Sequence, residues 1–190
     1  MRTPRIRRLA SLAGLSALAL GALGMAVPAG AATAPTTYVL HAPYASKAGF
    51  PVVYTAAKSS ANPGPKNCTA QVEAAYLNSS KTVGLVSQAL VCKTSAAATA
   101  AFKEVTKGIT ADKAISLPKS LGATAVATAA GAPEYTIVWQ HGSNIGYTGV
   151  DTDVPASSSE SSEVPAAPLT PGQAKVLVAA AVAQNALLGK

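Results

Sequence analysis

Residues 67–107 read NCTAQVEAAYLNSSKTVGLVSQALVCKTSAAATAAFKEVTK, and how the segments of this stretch pair decides the fold. It holds the chain's two cysteines, Cys68 and Cys92. In Thr69 to Leu77, Val72, Ala75 and Tyr76 recur at helical spacing among Ala, Gln and Glu, so the segment reads first as a short helix, with a strand as the alternative. Thr82 to Cys92 is richer in Val and Leu. Val83, Leu85 and Val91 fall on one face and Val86, Leu90 and Cys92 on the other, the pattern of a strand buried on at least one side. After Lys93, Thr94 or Ser95 is the N-cap of a helix that turns Ala98, Ala101, Phe102 and Val105 inward. Lys103, Glu104 and Lys107 then face water, and Gly108 stops it.

A disulfide between Cys68 and Cys92 would tie the start of the first segment to the end of the strand. Either assignment of Thr69 to Leu77 allows it, because a strand turning at Asn78 to Lys81 also returns Cys92 to Cys68. The case for the bridge rests on export, since disulfides persist in oxidising compartments. Arg2, Arg5, Arg7 and Arg8 form a basic head, Leu9 to Val27 is an apolar run, and Ala29-Gly30-Ala31 supplies small residues for a signal peptidase. Residues 1–31 therefore read as a signal peptide cut after Ala31, with Ala32 and Ala34 as alternative last residues. Arg7-Arg8 matches a twin-arginine signal poorly, so general secretion is the expected route.

Removing that leader changes the electrostatics. The whole-chain charge of +7 includes its four arginines, so +3 remains on a mature chain whose cations are scattered lysines. A nucleic-acid binder would show a basic stripe with arginine forks and aromatic platforms, and none is present. The mature length suits one domain, poor in aromatics and rich in Ala, Thr, Val and Ser.

Residues 32–66 read as an arm with edge strands at Tyr38 to His41 and Pro51 to Thr55, followed by a loop from Lys58 to Lys66. Residues 67–150 form the core. Pro118 and Gly122 mark turns, and Ala123 to Ala129 is a weak strand. Tyr135, Ile137 and Trp139 alternate with Thr136, Val138 and Gln140, then Gly142-Ser143 leads into a second strand from Asn144 to Val150. That is a hairpin with a two-residue turn, which sets Trp139 opposite Gly146 and Ile137 opposite Thr148. Residues 151–169 are Ser- and Pro-rich and read as a flexible loop. In residues 170–190, Thr170, Pro171 and Gln173 open a helix with a capping box. Ala174, Leu177, Val178, Ala181, Val182 and Leu188 form its apolar face. With Gln184 and Asn185 inside, it is short for a bilayer span and is expected to dock on the sheet. The expected fold is α+β: an antiparallel sheet with helices packed mainly on one face and one disulfide.

Chemistry-bearing residues are sparse. His141 and Ser143 are the one local pair resembling a base and a nucleophile, but no Gly-x-Ser-x-Gly elbow accompanies them. His41, His141, Asp151 and Asp153 lack a recognised metal-ligand spacing, so no metal and no cofactor is expected. Glu73, Glu104, Asp112 and Glu134 have no motif to bring two carboxylates together for sugar chemistry. His41 and Tyr44 read as ordinary surface or edge residues. Trp139 and Tyr147 are the candidate ligand-binding aromatics, with core filling the preferred reading of Trp139. Asn67-Cys68-Thr69 and Asn78-Ser79-Ser80 match a glycosylation pattern that matters only in a host with that machinery.

The order Cys68, Tyr76, Ser79 or Ser80, a strand ending in VCKTSAAATAAF, a Trp-bearing strand and a final apolar helix resembles small secreted or lipid-anchored actinobacterial envelope proteins. In outline it is similar to the extracellular sensor domains of mycobacterial serine/threonine kinases. That resemblance implies a cysteine-bridged α+β ligand-sensing module. The expected function is a secreted, extracellular or envelope-associated, non-catalytic binding module for a small molecule or an extracellular protein. The alternatives are a secreted hydrolase using His141 and an extracellular protease inhibitor presenting Ala61 to Lys66.

Overall fold

The structure is a computed structural model that describes residues 34–61, 65, 67–107, 115–122, 125–128, 134–152 and 169–189. Residues 1–33, which include the expected signal peptide, residues 62–64 and 66 of the proposed inhibitory loop, Gly108 and Asp112, and residues 153–168 of the Ser/Pro-rich segment, Asp153 among them, lie outside the described residues. Among the described residues six strands form one antiparallel sheet: β1 (Val52–Ala61), β2 (Cys68–Leu77), β3 (Gly84–Cys92), β4 (Val126–Thr128), β5 (Glu134–His141) and β6 (Asn144–Asp151). Their order across the sheet is β1-β2-β3-β6-β5-β4. Two three-stranded meanders thus meet at the β3·β6 seam, and the connection from β3 to β4 carries α2 (Ser95–Val105). The remaining helices are α1 (Ala42–Lys47) and α3 (Pro171–Leu188). The α+β class, the antiparallel sheet and the Cys68–Cys92 bridge all hold.

Alternation along the strands gives the sheet two differently dressed faces. On one, Val72 and Tyr76 of β2, Leu85 and Ala89 of β3, Val150 of β6, and Ile137 and Trp139 of β5 meet Leu177, Ala180, Ala181 and Leu188 of α3. Val39, Leu40 and Ala45, from the arm and α1, complete that core. On the other face, Leu90, Val138, Ile145 and Tyr147 meet Ala98, Ala101 and Phe102 of α2, beside the disulfide. The helices therefore lie mainly on one face, with α2 alone on the opposite side.

Thr69 to Leu77 is strand, not helix. Alanine carries little information about period, and Val72, Ala75 and Tyr76 fit both templates. The choice is made by neighbours, since β2 has strand partners on both edges and buries Ala70, Val72, Ala74 and Tyr76 at period two. An extra residue at Thr69 lets Cys68 pair with Cys92 while Ala70 pairs with Val91, so Cys68 joins the α2 side and Ala70 the α3 side.

The arm also differs from expectation. Tyr38 to His41 is not a strand: a 3-10 turn at Thr36–Tyr38 is followed by α1, which begins after His41 with Pro43 in its first turn. The extended link between them is held by side chains. Leu40 N–H donates to Ser87 Oγ (3.0 Å), and Tyr76 Oη donates to Leu40 O (2.7 Å). β1 runs through Lys58 to Ala61, which read as loop, because β2 offers a ladder to Ala70. Two irregularities, between Val53 and Thr55 and between Thr55 and Lys58, add residues to β1 and leave Val53 and Tyr54 both exposed.

Local signals set the other elements. Thr94 Oγ1 caps α2 by accepting from Ala97 N–H (3.1 Å), and the helix ends at Val105 with Thr106 as C-cap, before Gly108. Thr170 and Gln173 form the reciprocal capping box of α3. Gly142 (φ +58°) is the first central residue of the β5–β6 turn, the position where a II′ turn requires glycine. The face α3 buries is rotated from the expected one. Val182 is exposed, whereas Gln184 is fully buried. α3 is apolar around its circumference, so its orientation is set by what Gln184 bonds. Its Oε1 accepts from Thr148 Oγ1 (2.8 Å), and its Nε2 donates to Gln88 O (2.7 Å) and Tyr38 O (3.2 Å). Replacing Gln184 by Met keeps the volume and strands those three partners. The expected loss is about 2 kcal/mol in a denaturant titration, and an unchanged midpoint would contradict this reading.

Candidate functional site

The stretch from Gln140 to Asn144, QHGSN, carries the residues with most chemical potential, and the hairpin places it at one end of the sheet. Adjacent strand residues point to opposite faces, so Gln140 and His141 reach different helices. Gln140 Nε2 donates to Ser95 O (3.2 Å) and Gly142 O (3.0 Å), and Thr99 Oγ1 donates to Gln140 Oε1 (3.1 Å), which fastens the turn to the start of α2. His141 reaches α3, with Nδ1 2.9 Å from Asn185 Oδ1. Asn144 Nδ2 donates to Leu188 O at 3.4 Å, and Cys92 N–H donates to Ser143 O at 3.0 Å.

The network fixes the tautomer of His141. Trp139 Nε1–H, which can only donate, bonds Asn185 Oδ1 at 2.9 Å, and Asn185 Nδ2 donates to Ser120 O at 2.8 Å. Asn185 Oδ1 must therefore be the acceptor for His141 as well, so Nδ1 carries a proton, and in the neutral ring the lone pair is on Nε2; the assignment follows from the hydrogen bonds. Nε2 packs against Gly189, where an added Cβ would stand 3.0 Å away. Among the hydrogen bonds of the described residues, none joins His141 to Ser143, although both side chains are half-buried at the same turn.

The candidate aromatics lie on opposite faces. Trp139 is fully enclosed, with its indole over Gly146 as the register anticipates, and it fills the core. Tyr147 is buried on the other side in the cluster with Phe102 and Val138. His41 is the N-cap residue of α1 and Tyr44 packs against the core, where burial raises its phenol above the usual tyrosine range. Burial raises Tyr76 likewise, so its Oη stays a donor to Leu40 O in neutral and mildly alkaline solution. Asn78, in one glycosylation-like triplet, uses Oδ1 to accept from Thr82 N–H (2.9 Å) and Val83 N–H (3.2 Å) in its own turn. Among the described residues no group of three His, Cys, Asp or Glu side chains is placed to hold a metal ion. No helix of the described residues is long and apolar enough to cross a membrane.

Sequence reasoning missed Asn185 and Gln184 as organising residues. The available signal was an adjacent pair of amides in an otherwise apolar helix, a position where an unbonded polar group is costly. It also missed Val53 and Tyr54, which the β1 irregularities expose to 48 % and 70 %.

The fold and this junction define a disulfide-bridged, six-stranded antiparallel α+β domain whose hairpin turn is clamped to helices on both faces. No family model matches the chain, and comparison with curated proteins and with solved structures returns no significant match.

Proposed function

We propose that the chain is an exported, non-catalytic binding module of the cell exterior, sensor-like in the manner of the envelope domains it resembles. The observation that carries this reading is the use made of Gln140 to Asn144. Its polar groups bond to α2, α3 and β3, and His141 gives its Nδ1 proton to Asn185. Export is supported by the leader-like first 31 residues and by a bridge of a kind that persists in oxidising compartments. The exposed Val53 and Tyr54 on edge strand β1 supply apolar contact area for a small molecule or an extracellular protein, tyrosine being well suited to such contacts.

One observation favours the hydrolase reading. The Nδ1–H tautomer leaves on Nε2 the lone pair that a general base requires, two residues from Ser143. Purified parent protein and His141→Ala, assayed side by side on chromogenic esters, amides and glycosides, separate the two. Neither is expected to turn over any of them. Hydrolysis by the parent that the variant loses, with the variant still folded, would overturn the non-catalytic reading.

A further inference from the structure

The first residue the structure describes is already fastened to the sheet. Ala34 is 3 % exposed and belongs to the core cluster beneath α3, and its amide N–H donates to Ser59 Oγ of β1 at 2.8 Å, across 25 positions of chain. The arm continues in the same manner. Tyr38 N–H closes the 3-10 turn onto Pro35 O (3.0 Å), Tyr38 O accepts from the buried Gln184, and Leu40 is bonded through both its N–H and its C=O. Ala34 is thus the first, among the described residues, of a series of anchors that hold residues 34–50 against the face shared with α3. Its bond also falls on β1, which among the described residues is an edge strand paired with β2.

The leader's small residues offer three places to end it, after Ala31, Ala32 or Ala34, each with small residues one and three positions before the cut. They are not equivalent for the folded domain. A cut after Ala34 removes the buried methyl and the donor to Ser59, and it leaves the 3-10 turn starting from a terminal Pro35. A cut after Thr33 would place a charged ammonium on Ala34 itself, a buried residue whose nitrogen bonds Ser59 in a partly buried site, at the cost attached to a poorly solvated charge. A cut after Ala31 or Ala32 sets the new amine two residues or one residue before the buried position and keeps the amide of Ala34 as a neutral donor.

Resting on the exported reading above, we propose that the leader is removed upstream of Ala34, at the Ala31–Ala32 or the Ala32–Thr33 peptide bond, and that Ala34 belongs to the mature domain. The step is hydrolysis by a signal peptidase of the exporting cell. The C–N bond breaks, the hydroxyl of water completes the carboxylate of the leader, and its proton goes to the new amine.

The test is the intact mass of the protein secreted by a bacterial host expressing the full chain. A mature chain starting at Ala32 or Thr33 is expected. A start at Ala34 or Pro35 overturns the placement while leaving export standing, whereas retention of Met1 by all of the protein overturns the exported reading itself. A second measurement examines the anchor without depending on the peptidase. Two bridged proteins are prepared, one beginning at Ala32 and one at Pro35, and the shorter is expected to melt about 3 °C or more below the longer. Equal melting temperatures would mean that Ala34 is not part of the folded domain.

Discussion

Gly146→Ala is expected to destabilise the domain by about 3 kcal/mol or more, the upper end of the cost of overpacking a core. Gly146 lies in β6, directly opposite Trp139 of β5, and a Cβ built there falls on Cζ2 and Cε2 of the indole and stands 2.9 Å from Leu188 Cδ1. The indole cannot yield cheaply. Trp139 is fully buried and tethered through Nε1 to Asn185, while Leu188 sits in the last turn of α3. The clash therefore bears at once on the sheet, the helix and the hydrogen bond that orients His141. A denaturant titration reads the effect as a lower midpoint. Combining the change with Trp139→Phe supplies the cycle: a smaller ring relieves part of the clash, so the double variant should lose less than the sum of the two single losses. Strict additivity would mean the two side chains are not in contact.

The second large effect is loss of the bridge. Cys68 and Cys92 are register partners on the adjacent strands β2 and β3, 24 residues apart in sequence. Replacing both by Ser releases that loop in the unfolded chain. Loop-entropy arithmetic for 24 residues puts the loss at roughly 3 to 4 kcal/mol. For a domain whose total stability is of the usual order of about 10 kcal/mol, that is a third of the whole. The double variant should still fold, because Lys93 N–H to Asn67 O (3.0 Å) and the β2·β3 ladder continue to hold these ends together. A loss below about 1 kcal/mol in the same titration would contradict this account.

The elements legible in the sequence were those fixed by neighbours along the chain. The β5–β6 hairpin follows from alternation and a glycine turn, and the opposition of Trp139 to Gly146 follows from the turn length. The cap at Thr170 was legible, and that of α2 narrowed to Thr94 or Ser95, because a capping side chain sits within three residues of its partner; the structure uses Thr94. The features that escaped depend on distant partners. β2 is alanine-rich and takes its conformation from β1 and β3, and the second half of β1 is a strand because β2 lies beside it. The orientation of α3 is governed by Gln184, whose partners Thr148, Gln88 and Tyr38 are 36, 96 and 146 residues away.

The candidate site shows the same division. His141 and Ser143 could be singled out from their spacing, but not the partner that occupies His141. Asn185 is 44 residues further on, in a helix whose periodicity pointed elsewhere. Val53 and Tyr54 escaped because regular alternation would turn one of any two neighbours inward, and the irregularities between Val53 and Lys58 suspend that rule.

The proposed export into an oxidising compartment is the central claim, since the signal-peptide reading of residues 1–31 and the proposed non-catalytic exterior role both depend on it, and the Cys68–Cys92 bridge would persist there. It is tested most directly by alkylating thiols in protein recovered from the culture medium, before and after reduction under denaturing conditions. The account predicts no labelled cysteine before reduction and two after it. Two cysteines labelled before reduction, or protein found only inside the cell, would contradict it.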